Sequence, residues 1–122
     1  MRKQQPERME RLAFMRWVSF KPNIKKYLFA IENGGSRHPL EAANIKRCGL
    51  MKGVPDYCFM KASGKYHSMY IEFKVKPNKI TKDQQHFFDV AAEIDIYCCL
   101  VWNWEEAVAE IENYLKLGEN NG

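Results

Sequence analysis

The chain has 122 residues, 46% of them hydrophobic and 28% charged, with a net charge of +4. That length and apolar content fit one compact domain, spanning 1–122, with a real core and no room for a second. No apolar run approaches the ~20 residues that span a bilayer, and Met1-Arg-Lys-Gln-Gln-Pro6 lacks the apolar stretch of a signal peptide, so a chain without a membrane segment, acting inside the cell, is expected.

The net charge hides a segregation. Through Lys82 there are 18 Lys and Arg against 6 Asp and Glu, or +12, and from Asp83 onward 1 Lys against 9 acids, or −8. Part of the folded surface is therefore expected to be positive enough to attract a polyanion, with phosphate contacts as the natural partner.

In chain order, Pro6 to Phe20 reads as a helix. Met9, Leu12, Ala13, Trp17 and Phe20 recur at three- and four-residue steps, and Pro6 suits a first helical turn. Glu7 and Glu10 sit one turn apart, where acids complement the helix dipole. Phe14, Met15 and Val18 fall outside the stripe and offer a self-complementary apolar patch, unless the monomer buries them. Tyr27-Leu-Phe-Ala-Ile31 predicts a first strand, followed by the turn Glu32-Asn-Gly-Gly-Ser36, whose glycines allow close backbone approach to a phosphate. Pro39 to Arg47 predicts a short helix stopped at Gly49, and Lys46, Arg47 and Lys52 add positive charge behind it.

Two strands are expected next. Tyr57-Cys-Phe-Met60 and Tyr66 to Val75 flank the turn Ala62-Ser-Gly-Lys65, a hairpin pattern. Alternation sends Ile71, Phe73 and Val75 one way and Glu72, Lys74 and Lys76 the other. Antiparallel pairing brings Asp56, at the head of the first strand, back beside Glu72. Two carboxylates then converge next to an ammonium. Mg2+ or Mn2+ takes such hard oxygen ligands, and with a lysine it supplies what phosphodiester hydrolysis needs: a nucleophilic water near neutral pH and stabilisation of charge on the phosphate. The bland alternative is that Glu72-Phe-Lys74 is a solvated strand face with a weak ion pair.

After Pro77-Asn78, Thr81-Lys-Asp-Gln84 opens a helix to about Ile94 with capping-box spacing. Ile96 to Trp102 is an apolar run of strand length. Asn103-Trp-Glu-Glu106 repeats the capping pattern, and Trp104, Val108, Ile111 and Leu115 stripe a final helix ending near Gly118, with a disordered tail expected over Glu119-Asn-Asn-Gly122. Trp102 and Trp104 are a pair that could stack on bases, but their place in a strand and an amphipathic stripe sets them in the core as the expected reading. Cys48, Cys58, Cys98 and Cys99 lack ligand spacing and read as buried free thiols, and His38, His67 and His86 as surface or loop residues.

Taken together, Asn33-Gly-Gly, Gly53-Val-Pro-Asp56, Glu72-Phe-Lys74 and Gln84 resemble, in order and spacing, the virus-type replication-repair nuclease (VRR-NUC) family of the PD-(D/E)XK superfamily, in its stand-alone phage or bacterial form. The resemblance covers about Glu7 to Leu115. It implies an α/β restriction-endonuclease-like core, a mixed sheet flanked by helices in the order α-β-α-β-β-α-β-α. It also implies that Asp56, Glu72, the Phe73 carbonyl and a glutamate of the first helix hold Mg2+ or Mn2+. Glu7 matches that glutamate better than Glu10. Lys74 would orient the attacking water or steady the phosphate, Gln84 would aim at the reacting groups, and Asn33, Gly34, Gly35, Lys46, Arg47, Lys52 and Lys76 would touch nucleic acid.

The activity so implied is a Mg2+-dependent, structure-specific DNA endonuclease resolving four-way junctions in repair or replication, as a homodimer, in the cytoplasm of a bacterial or phage-infected cell. The alternative is a nucleic-acid-binding module of the same fold without activity. Against it, a binder gains nothing from two acids in a basic groove. One departure stands out: the polar residue that usually follows the helix glutamate by four positions is Arg11.

Overall fold

Strand pairing follows the alternation of the sequence. The computed structural model describes residues 6–31 and 38–119. Its elements run α1 (Pro6–Ser19), α2 (Pro22–Lys25), β1 (Leu28–Ala30), α3 (Pro39–Arg47), β2 (Tyr57–Phe59), β3 (Met69–Phe73), α4 (Lys82–Glu93), β4 (Tyr97–Val101) and α5 (Trp104–Glu119). The strands form one sheet in the order β1-β2-β3-β4. The first three pair antiparallel, and β3 pairs with β4 in parallel. A parallel pair needs a crossover, and α4 makes it. This is the mixed sheet with flanking helices that the sequence predicts, plus the single-turn α2, opened by Pro22.

Tyr57, Phe59, Met69, Ile71, Phe73, Cys99 and Val101 turn to one face of the sheet, where Phe14 and Val18 of α1 and Ala107, Ile111 and Tyr114 of α5 close the core. The Phe14 ring meets those of Tyr57 and Phe73 at 5.4 and 5.5 Å between centroids. On the other face α4 lies over β3 and β4, with Phe87 edge-on to Tyr70 at 5.1 Å.

Several expectations are corrected. On α1 the buried apolar residues are Phe14 and Val18, at 0% exposure, whereas Met9, Leu12 and Phe20 are 51, 63 and 73% exposed. The inward stripe is Glu7, Arg11, Phe14 and Val18, with partly buried Met15 and Trp17 beside it. Its first two members are charged because that end of α1 overlies ionisable groups rather than apolar core. Phe14 and Val18 are thus not available for a dimer patch. Trp102 is 37% exposed, because β4 ends at Val101 and the Trp102 N–H turns to the Glu106 carboxylate at 2.8 Å. Trp104 does pack against the core.

β3 begins at Met69 rather than Tyr66 and ends at Phe73 rather than Val75. Ser63 and Tyr66 instead exchange two hydrogen bonds around Gly64, and the His67 N–H is taken by the Asp95 carbonyl. Gly118 is not a helix stop, since α5 continues to Glu119. A Cβ there would lie 2.9 Å from Ser63 Oγ, which accepts the Gly118 N–H at 2.8 Å, so the glycine permits close approach of the turn to α5. The rest of the predicted tail, residues 120–122, lies outside the described residues. The four thiols are free, with Cys58 and Cys99 buried, Cys98 half-buried and, against expectation, Cys48 exposed. No described helix is long and apolar enough to cross a membrane.

Candidate functional site

The site is assembled where β2 and β3 leave the sheet at the same end. Gly53 adopts φ +88°, and a Cβ there would fall 2.4 Å from the backbone carbon and oxygen of Asp83. Only glycine meets both conditions. The loop from Gly53 is thereby pressed against the first turn of α4, and the fully buried Pro55 fixes its exit. Asp56 follows. Tyr57 pairs with Ile71, so one further residue sets Asp56 across from Glu72. The Phe73 N–H donates to Asp56 Oδ2 at 2.8 Å, and the Ile31 N–H donates to the Asp56 carbonyl at 2.8 Å. Asp56 is 7% exposed, and its burial raises the carboxyl above its ordinary range despite the Phe73 N–H.

Glu72 is the more strained of the two acids. It is 5% exposed, between buried Ile71 and Phe73, and alternation turns it towards α4. There Gln84 Nε2 donates to Glu72 Oε2 at 3.1 Å, while Gln84 Oε1 accepts the Thr81 N–H at 3.0 Å. Thr81 Oγ1 in turn accepts the Gln84 N–H, completing a capping box. Glu72 Oε1 is buried and has no hydrogen-bond partner among the described residues. Burial first, and then the negative charge of Asp56, pushes the Glu72 carboxyl up to about 8.

The first helix completes the cluster. Glu7 is half-buried, and its carboxyl is raised by burial and then by Asp56, against the opposing pull of Arg11 and Lys74. Glu10 is committed elsewhere: its Oε1 accepts the Trp104 N–H at 2.9 Å, at the start of α5. Of the two glutamates, Glu7 is therefore the one that faces Asp56. Lys74, half-buried just beyond β3, donates its backbone N–H to the Val101 carbonyl at 2.9 Å, and its charge acts on Glu7, Asp56 and Glu72 together.

Arg11, which departs from the family pattern, belongs to the site. Its Nη1 lies 3.7 Å from Asp56 Oδ1, its Nε donates to the Tyr57 hydroxyl at 3.2 Å, and its guanidinium stands 5.0 Å from the Tyr57 ring centre. The available signal was position: Arg11 shares with Glu7, Phe14 and Val18 the stripe that faces the sheet. Of the expected nucleic-acid contacts, Lys46 and Arg47 are exposed at the end of α3, and Lys52 and Lys76 are exposed in the loops on either side of the β2–β3 unit. Asn33, Gly34 and Gly35 lie outside the described residues.

The donor set suits a hard divalent cation. Asp56 and Glu72 supply two carboxylates, the Phe73 N–H already holds one oxygen of Asp56, and the unpartnered Glu72 Oε1 is a buried oxygen that a cation would satisfy once the carboxyl gives up its proton. Among the described residues no three His, Cys, Asp or Glu side chains gather closely enough to hold an ion by themselves. Mg2+ does not require that, since it commonly rests on one or two carboxylates and fills its shell with water and substrate phosphate.

No family model matches the chain, and no curated protein matches it. A solved structure described as a VRR_NUC domain protein superposes with a TM-score of 0.82 at 24% sequence identity, over 96% of this chain and 93% of that one. The chain has the VRR-NUC fold. The superposition spans nearly the whole of both chains, so Gly53-Val-Pro-Asp56, Glu72-Phe-Lys74 and Gln84, which carry the likeness in the sequence, all stand on a VRR-NUC framework. The restriction-endonuclease-like architecture expected from those residues is the one observed.

Proposed function

We propose that this chain is a Mg2+- or Mn2+-dependent DNA endonuclease. One observation carries the reading: two buried carboxylates, Asp56 and Glu72, are set across from each other beside Lys74, and Glu72 keeps a buried oxygen that no group among the described residues satisfies. Burying two acids together is unfavourable without a compensating cation. Asp56, Glu72 and the Phe73 carbonyl would hold the ion, with Glu7 reaching it directly or through water. When bound, the ion supplies a low-pKa water and charge neutralisation at phosphate.

The residues of the chain do the rest. The Phe73 N–H and the Gln84 amide fix the two carboxylates in orientation. Lys74 orients the attacking water or neutralises charge developing on the scissile phosphate. The likeness to a VRR_NUC domain protein supports a nuclease and DNA as substrate.

The finer reading is resolution of four-way junctions in repair or replication by a homodimer. A single site cuts one strand, and a two-fold pair would present two sites matching the symmetry of the junction. With Phe14 and Val18 buried, that assembly rests on the symmetry argument alone. Incubating the purified protein with four-way, flapped and linear DNA in Mg2+, Mn2+ or EDTA tests the reading. Metal-dependent cleavage is expected, with the four-way junction preferred. No cleavage of any substrate would leave a binding module of the same fold, and equal cleavage of linear and four-way DNA would remove the junction preference.

A further inference from the structure

A cavity of about 330 Å³ opens beside the carboxylates, lined by Glu7, Arg8, Arg11, Leu12, Met15 and Tyr57. We propose that it is a subsite for a non-scissile phosphate of the substrate strand, with Arg11 and Arg8 as its ligands and Leu12 and Met15 as the apolar wall against which the adjoining sugar rests. The proposal rests on the nuclease reading and specifies where the strand lies.

Arg8 and Arg11 are three residues apart on α1, the spacing at which helix side chains are neighbours. A guanidinium presents a fixed fork that matches a phosphate, and one that is already oriented loses less freedom on binding. Arg11 is so oriented, by the Tyr57 hydroxyl at 3.2 Å and the Tyr57 ring at 5.0 Å. Its Nε is used in that contact, which leaves the two terminal nitrogens. Of these Nη1 lies 3.7 Å from Asp56 Oδ1, well beyond the ~2.8 Å of a charge-assisted hydrogen bond, so it is drawn towards Asp56 without being committed to it. Arg8 is exposed on the same rim. Leu12 is 63% exposed there, an apolar surface left open among the described residues.

Glu7 also lines the cavity and opposes an anion, so the two arginines outweigh it by one charge. Glu7 belongs as well to the group that faces Asp56. A phosphate in the cavity is therefore next to the reacting centre without being in it, as a neighbouring link of the same strand would be. A role for Arg11 limited to neutralising Asp56 would not account for the cavity, for Arg8, or for the exposed Leu12.

The test is the salt dependence of DNA binding, read by fluorescence anisotropy of a labelled DNA in EDTA from about 50 to about 200 mM KCl, where each phosphate contact contributes about one to the slope of log K against log salt. Arg11→Ala and Arg8→Ala should each lower the slope by about one and weaken binding by about tenfold at the lower salt. Arg11→Lys should keep the slope and lose part of the affinity, because it keeps the charge and gives up the fork. In Mg2+, Arg8→Ala should raise KM far more than it lowers kcat. An unchanged slope in Arg8→Ala and Arg11→Ala overturns the subsite, even if Arg11→Ala loses thermal stability, and Arg8→Ala alone decides the matter should Arg11→Ala fail to fold. Absence of cleavage by the wild-type protein would overturn the nuclease reading instead, leaving the slope to decide the subsite.

Discussion

Gln84 holds Glu72 with one end of its amide and caps its own helix with the other: Nε2 lies 3.1 Å from Glu72 Oε2, and Oε1 takes the Thr81 N–H at 3.0 Å. The two readings of this residue from sequence, cap and site residue, are thus one structure. The capping box fixes where the amide points, and the amide fixes one oxygen of Glu72. Gln84→Ala should cost about 1 kcal/mol of stability through the lost cap and also reduce cleavage by freeing Glu72. Gln84→Glu keeps an acceptor for Thr81 but sets a second carboxylate against Glu72, so it should restore little of the activity. Chemical denaturation and cleavage rates on the same preparations separate the two effects, and wild-type activity in both variants would reduce Gln84 to a cap.

Asp56→Asn and Glu72→Gln should each abolish cleavage while preserving or tightening DNA binding. Each removes an anionic oxygen needed for the ion and also a negative charge that repels phosphate. Anisotropy and gel cleavage assays read the two halves separately. Near-wild-type cleavage by either variant in Mg2+ would dissolve the site.

The pH dependence of stability follows from Glu72, whose carboxyl is pushed from an ordinary value of 4.5 up to about 8, by burial first and then by Asp56. Between those two values the folded chain holds a proton that the unfolded chain has released, so stability falls as pH rises across that window. Asp56 and Glu7 are shifted in the same direction and add to the slope. In EDTA the wild-type melting temperature should therefore decline from about pH 5 to pH 8, and Glu72→Gln should flatten the decline. Mg2+ needs the deprotonated acids and should stabilise the protein more at pH 8 than at pH 5. A melting temperature that rises with pH in EDTA would contradict the burial of Glu72 beside Asp56.

Most of the sheet was legible because strand alternation is a local signal, but the pairing of Asp56 with Glu72 is not set by the turn alone: the Ser63–Tyr66 bridge continued inward would put Asp56 against Phe73, and β2 and β3 pair one residue out of that register. The orientation of α1 was not legible. Its apolar residues Met9, Leu12 and Phe20 recur at helical spacing, but the inner face begins with Glu7 and Arg11. A helix that covers core at one end and ionisable groups at the other carries two kinds of inward residue, and hydrophobicity reports only one. Trp102 misled for a related reason: a side chain at the end of an apolar run is buried only if the strand continues, and here the Glu106 carboxylate takes its N–H and turns the chain. The choice between Glu7 and Glu10 needed α5, whose Trp104 N–H engages Glu10 across 94 residues of sequence.

Lys74 separates charge from chemistry. Its ammonium acts on all three carboxylates, yet it cannot bind a cation, so Lys74→Ala should lower the cleavage rate by ~100-fold or more with little change in Mg2+ affinity. Lys74→Arg should not restore the rate, because a guanidinium is wider and does not release its proton. Single-turnover rates across a Mg2+ titration provide the check, and a fully active Lys74→Arg would make the residue a simple phosphate anchor.

Gly53 is the furthest from the chemistry and sets the position of both sides of the site. Its φ of +88° places it where a side chain is strained, and an added Cβ would stand 2.4 Å from the carbonyl group of Asp83, which is backbone and has nowhere to swing. Gly53→Ala must therefore either push the loop carrying Asp56 away from α4 or shift the first turn of α4, and Gln84 sits in that turn. Strain of this kind costs on the order of 2 kcal/mol or more. Because the displaced groups are the supports of Asp56 and Glu72, the loss of cleavage in Gly53→Ala should exceed what the loss of folded protein explains, and saturating Mg2+ should recover stability before it recovers rate. Gly49 provides the control: its φ is +104°, but a Cβ there meets nothing within 4 Å. Gly49→Ala should show the cost of the backbone conformation alone, with cleavage per folded molecule unchanged, and equal loss of specific activity in the two variants would mean that contact with Asp83 does not position the site.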